Sequence, residues 1–139
     1  MKRRAVLLSP LLLCGLSLLA IAEPEPTVAA RSASAEWLLK LDAADYPGTW
    51  EAAASMFKSA VSVQSWQQAS QAVRGPLGAV RSRSDKSATY TKTLPGAPDG
   101  QYVIIQFNTT FENKATAVET VTTALDRDGK WRVAGYFIN

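Results

Sequence analysis

The stretch YVIIQFNTTFE, residues 102–112, alternates apolar and polar side chains with a period of two. A half-buried β-strand requires this pattern, because successive side chains leave a strand on opposite faces. Val103, Ile105, Phe107, Thr109 and Phe111 share the inward face, and Tyr102 and Ile104 fall on the other. The same period extends in both directions. Residues from Val80 to Lys92 alternate with small and polar side chains, Ala115 to Asp126 is rich in Thr and Val, and Trp131 to Ile138 closes the chain. In the last run Trp131, Val133, Gly135 and Phe137 read as one side, with Tyr136 and Ile138 opposite. Asn113-Lys114 suits a tight turn and Asp128-Gly129 a two-residue hairpin, while a longer loop over residues 95–100 joins the first two strands.

Upstream of Gly78 the period is helical. From Ser34 to about Asp45, Trp37, Leu38, Leu41 and Ala44 recur three and four residues apart and form one apolar stripe. Pro47-Gly48 is expected to stop this helix. Thr49 then caps a short helix over Trp50 to Lys58, with Trp50, Ala53, Ala54 and Phe57 on one face. Ser65 with Gln68 has the form of a capping box and opens a third helix carrying Trp66, Ala69 and Val73, which ends at Gly75-Pro76. Three helices followed by a four-stranded antiparallel meander predict an α+β domain with its helices on one face of the sheet.

Residues 1–22 have the layout of a cleavable signal peptide. Lys2, Arg3 and Arg4 precede an apolar run from Ala5 to Ile21, and Ala20-Ile21-Ala22 gives the small–x–small cleavage pattern, so cleavage is expected after Ala22. The run contains Pro10 and is shorter than the roughly 20 apolar residues of a bilayer span. A periplasmic or secreted domain is therefore expected, not an integral membrane protein. Leu13 stands where a lipoprotein signal has a small residue before its cysteine, which argues against lipidation of Cys14. Residues 23–33, with Pro24 and Pro26, read as an extended spacer, and 34–139 as one domain.

Cleavage changes the chemistry available. Of 15 basic and 12 acidic residues, three basic ones leave with the leader, so the remaining 117 residues are formally neutral. Nucleic-acid binding then lacks the basic surface it draws on. The only cysteine departs as well, and histidine is absent throughout. The commonest general base, the commonest metal ligand and thiol chemistry are thereby missing. No phosphate loop, nucleophile elbow or calcium loop is present. No catalytic residue, metal site or cofactor is expected.

The stretch from Ala35 to Asn139 resembles the exported bacterial domain of unknown function family 4019. The resemblance rests on Glu36-Trp37-Leu38, on Asp42-x-x-Asp45-Tyr46 with Trp50, and on Trp66 followed by Arg74-Gly75-Pro76-Leu77-Gly78 and Ser82-Arg83. Pro95-Gly96 and the closing run from Gly129 to Val133 complete it. The order of elements is also similar to the nuclear-transport-factor-2-like cone fold, which implies a curved sheet able to enclose a pocket. That fold hosts enzymes, binders and structural domains alike.

Three readings follow. The leading one is non-enzymatic binding of a small molecule or an envelope protein, with Trp37, Asp42, Asp45, Tyr46, Trp50, Trp66 and Arg74 as pocket candidates. Core packing is the default role for the tryptophans, and solvation the default for the carboxylates. The second is a hydrolase- or isomerase-like enzyme with Asp42 or Asp45, three apart on a helix, as base. The third is a structural domain or homodimer that uses the outer sheet face, with Tyr102, Ile104, Tyr136 and Ile138 at the interface. Arg74, Arg81, Arg83, Lys86 and Lys92 make a basic stretch whose default reading is a solvated strand face that discourages edge pairing.

Overall fold

The computed structural model describes residues 25–139, so the expected signal peptide and cleavage point lie outside the described residues. Four helices precede four strands: α1 (Pro26–Asp42), α2 (Tyr46–Glu51), α3 (Ser55–Ala60), α4 (Val63–Leu77), β1 (Val80–Thr91), β2 (Tyr102–Phe111), β3 (Lys114–Leu125) and β4 (Trp131–Ile138). The strands form one antiparallel meander in the order β1-β2-β3-β4. The fold is α+β, with the helices packed on one face of the sheet.

α1 begins eight residues before the expected start, so most of the proposed spacer is helix. Pro26 occupies the first turn, where its missing N–H costs nothing and its fixed φ suits the helix. Ala30 and Ser34 then extend the buried stripe of Trp37, Leu38 and Leu41 at helical spacing. The helix stops at Asp42, and Ala44 takes a left-handed φ of 57°. Pro47-Gly48 starts a helix where a stop was expected: Asp45 is the N-cap of α2, and its carboxylate accepts from the Gly48 N–H at 3.0 Å. The expected helix over 50–58 is divided into α2 and α3. Ser62, not Ser65, caps α4 by accepting from Ser65 N–H. α4 runs through Pro76 to Leu77, and Gly78, at φ 74°, turns the chain into the sheet.

Side chains between the layers form the core. Val103, Ile105 and Phe107 of β2, Val121 of β3 and Val133 of β4 meet Trp37, Leu38 and Leu41 of α1, Tyr46 of α2 and Trp66 of α4. In β4 the expected alternation holds only as far as Val133. Thr123 pairs with Val133 and Thr122 with Gly135, leaving Ala134 as the extra residue of a β-bulge. One extra residue reverses every later side chain. Tyr136 and Ile138 therefore pair with the buried Val121 and Glu119 on the helix side, and Phe137, 52% exposed, points the other way.

The bulge removes two of the four proposed interface residues from the outer face. A third, Tyr102, is buried against Ala54 and Ala124 with Leu94 and Ala97 of the β1–β2 loop, and its hydroxyl donates to the Pro98 carbonyl. Only Ile104 stays half-exposed on the outer face, among Gln106, Thr120 and Thr122.

Candidate functional site

Buried charges converge where the C-terminal ends of α1 and α4 meet the sheet. Asp42 is the last residue of α1, Arg74 lies in the last turn of α4, Arg83 is in β1 and Glu119 in β3. Asp42 accepts from Arg74 Nη2 at 2.9 Å and from Arg83 Nη1 and Nη2 at 2.8 and 3.0 Å. Arg83 continues to Glu119 through Nε at 2.7 Å and Nη2 at 3.2 Å. Glu119 is fully buried and also accepts from the hydroxyls of Thr109 and Tyr136. The Arg74 guanidinium lies 5.0 Å from the centre of the Phe111 ring, within cation–π range.

This network fixes its protonation states. Burial alone would raise the Asp42 pKa, but hydrogen bonds and charge from Arg83 and Arg74 outweigh it and hold the carboxyl below its usual value. Burial works against the charged form of Arg83, yet Asp42 and Glu119 raise its pKa and keep it cationic. The Tyr136 phenol is pushed up by burial, then by the negative charge of Glu119 and the hydrogen bond to it. An ionised carboxylate shared by two arginines is a weak base. Asp42 therefore acts as an anchor between α1, α4 and β1.

Beside the network, between α4 and the end of β4, lies a cavity of about 230 Å³. Leu41, Trp66, Val73 and Ile138 give it apolar walls; Ala69, Ser70, Arg74, Tyr136 and Phe137 complete the lining. Ser70 and Arg74 are 5% and 6% exposed, and Ser70 Oγ with Arg74 Nε and Nη1 finds no hydrogen-bond partner. Buried donors without partners are uncommon and costly, of order 1–3 kcal/mol each. Ser70 and Arg74 are both among the residues that line the cavity.

The other pocket candidates do different work. Trp37 Nε1 donates to the Thr49 carbonyl at 2.9 Å and Trp66 Nε1 to the Thr49 hydroxyl at 2.8 Å. Thr49 Oγ1 in turn donates to the Tyr46 carbonyl at 2.7 Å. These bonds satisfy both indoles, so their rings serve as apolar surface. Trp37 lies between Trp66 and Tyr136 in tilted ring contacts, at centroid distances of 6.0 and 5.4 Å, and Tyr46 is core. Trp50 donates to the Val61 carbonyl at 2.8 Å and lies outside the cavity. Asp45 sits beyond the end of α1 as the α2 cap, so it is not the helical neighbour of Asp42 that its spacing suggested. Of the seven candidates, Trp66 and Arg74 line the cavity and Asp42 pairs with Arg74 behind it.

Sequence reasoning missed Ser70, Arg83 and Glu119. Arg83 is not on a solvated strand face: its side chain is 17% exposed and held between two carboxylates, whereas Arg81 is 64% exposed. A signal was present in β3, where Ala117, Glu119, Val121 and Thr123 follow the inward period and place a carboxylate at a core position. A second polar cluster is fully committed to structure. Asp126 accepts from Ser55 N–H and hydroxyl and from Arg132, which also pairs with Asp128 at 2.7 Å; the Arg132 hydrogen bond lowers the Asp128 pKa to about 2. Among the described residues, no group of three or more His, Cys, Asp or Glu is placed to hold a metal ion, and no helix is long and apolar enough to cross a membrane.

A helix layer on a four-stranded meander, with a buried ion network beside an apolar cavity, defines a small α+β domain. The family of proteins of unknown function designated DUF4019 matches residues 33–136, and the chain belongs to that family. No curated protein matches. Among solved structures, that of Aln2 from a Streptomyces species is similar, with a TM-score of 0.51 and 14% identity over 84% of this chain and 92% of that one. At that identity the likeness speaks to the fold alone.

Proposed function

We propose that the domain binds a small molecule in the cavity between α4 and β4, within the cell envelope. The observation that carries this reading is a mainly apolar cavity whose lining includes the polar residues Ser70 and Arg74. Ligand sites commonly combine a mainly apolar lining with a few placed polar groups. The export pattern of residues 1–22 supports the location, and the order of helices and strands is similar to that of nuclear-transport-factor-2-like cones, whose helix–sheet gap suits a pocket. Binding without catalysis fits better than the carboxylate-base alternative, because Asp42 is engaged by two arginines and Asp45 by the α2 N-terminus.

Native mass spectrometry of the chain recovered from its own compartment tests this, with Ala69→Phe as comparison. Ala69 is an exposed wall residue, so the larger ring blocks the cavity without entering the core. Wild type is expected to carry extra mass that is released on denaturation, and Ala69→Phe to lose it while keeping its circular dichroism spectrum. Bare protein in wild type, or equal retained mass in both, contradicts the reading.

A further inference from the structure

Ser70 and Arg74 make the cavity lining polar by residue type but not by the atoms a ligand can touch. Ser70 Oγ and Arg74 Nε and Nη1 are sealed inside the protein, so nothing as large as a water molecule reaches them. Arg74 Nη2 is taken by Asp42 at 2.9 Å. The other polar groups on lining side chains are committed as well. Trp66 Nε1 donates to the Thr49 hydroxyl at 2.8 Å, and the Tyr136 hydroxyl donates to Glu119. Every side-chain nitrogen and oxygen of the lining is therefore bonded within the protein or out of reach, and Leu41, Trp66, Ala69, Val73 and Ile138 are left to make the contacts. We infer that the ligand is a neutral, hydrocarbon-rich molecule of about one ring, held by shape and apolar contact with no hydrogen bond from a cavity side chain. This inference rests on the binding reading above.

Polarity is the first argument. A hydroxyl or carbonyl entering such a site gives up its hydrogen bonds to water and finds no side-chain partner in return, which costs free energy. An apolar group of the same shape loses no hydrogen bond and gains by leaving water.

Charge gives the second argument. In the network beside the cavity, Arg74 and Arg83 are balanced by Asp42 and Glu119 through direct pairs. A ligand ion of either sign would leave water and meet no free counter-charge. Burying an ion on those terms is costly.

Size sets the third limit. An apolar cavity of about 150 Å³ accommodates benzene. The cavity here, about 230 Å³, has room for one ring with a short alkyl substituent. Val73, 51% exposed, adds apolar surface for a somewhat longer chain.

Ethylbenzene, benzyl alcohol and benzoate are nearly equal in shape and differ in what the short substituent carries. Each is titrated into the isotope-labelled protein while the Leu41 and Ile138 methyl and Trp66 indole resonances are followed. Ethylbenzene is expected to shift all three and to bind about tenfold more tightly than benzyl alcohol, the scale of one buried hydroxyl without a partner. Benzoate is expected to shift none. Ser70→Ala, which removes a sealed oxygen, is expected to leave the ratio between the probes unchanged, and Ala69→Phe to abolish ethylbenzene binding. Benzyl alcohol or benzoate binding as tightly as ethylbenzene, or a loss of benzyl alcohol affinity alone in Ser70→Ala, overturns this inference but leaves the cavity as a binding site. Ethylbenzene that shifts no cavity resonance, or that binds Ala69→Phe as well as wild type, overturns both.

Discussion

Glu119 has no exposed surface, yet its two oxygens accept from Arg83 twice and from Thr109 and Tyr136 once each. Its removal leaves a buried arginine half-paired and two hydroxyls stranded. Glu119→Ala is expected to cost about 3–5 kcal/mol, the range for breaking a buried pair from one side, read as a fall in the urea midpoint. Asp42 gives a pH prediction whose sign follows from its lowered pKa. Its contribution is fully present at neutral pH and is lost as pH falls through the folded-state value, so stability drops below about pH 4, where the unfolded-state carboxylate takes up a proton. Asp42→Asn is expected to be less stable at pH 7 and to show a shallower loss on acidification. At this scale the sequence showed residue types and left their partners hidden. Trp66 and Arg74 stand out as an aromatic and a cation near a helix end. Ser70 and Glu119 acquire meaning only from long-range neighbours, the Tyr136–Glu119 pair being 17 residues apart and Arg83–Glu119 36.

Elements divide in the same way. The four strands were legible because alternation is local, but the turns were not placed. The first is Glu112-Asn113, with Lys114 already paired in β3. The second is a loop over residues 126–130 with Gly129 at φ 80°, not a two-residue Asp128-Gly129 hairpin. The α1 start was obscured by Pro26, which opens a helix as readily as it marks a spacer, and Pro47 behaved likewise in α2. Asp45 is a cap in this account, so Asp45→Ala is expected to cost about 1 kcal/mol of stability by thermal or chemical melting while leaving ligand retention unchanged. The Ala134 bulge was invisible because a two-residue period carries no mark of where one residue is added. It sets which β4 side chains reach the cavity. Deleting Ala134 would send Tyr136 and Ile138 to the outer face and is expected to abolish the native tryptophan fluorescence of the Trp37–Tyr136 contact region.

For the molecule as a whole, the helix layer and the sheet close over one core at the α1 end and stay apart between α4 and β4. The ion network stands at that boundary and ties α1, α4, β1 and β3 together. Arg74 belongs both to that network and to the lining of the cavity. A crystal structure of the protein purified from its own compartment is the most direct test of this account. It predicts ordered density in the cavity against Leu41, Trp66 and Ile138. A cavity closed by Val73 and Ile138, with no density beyond the polypeptide, would contradict it.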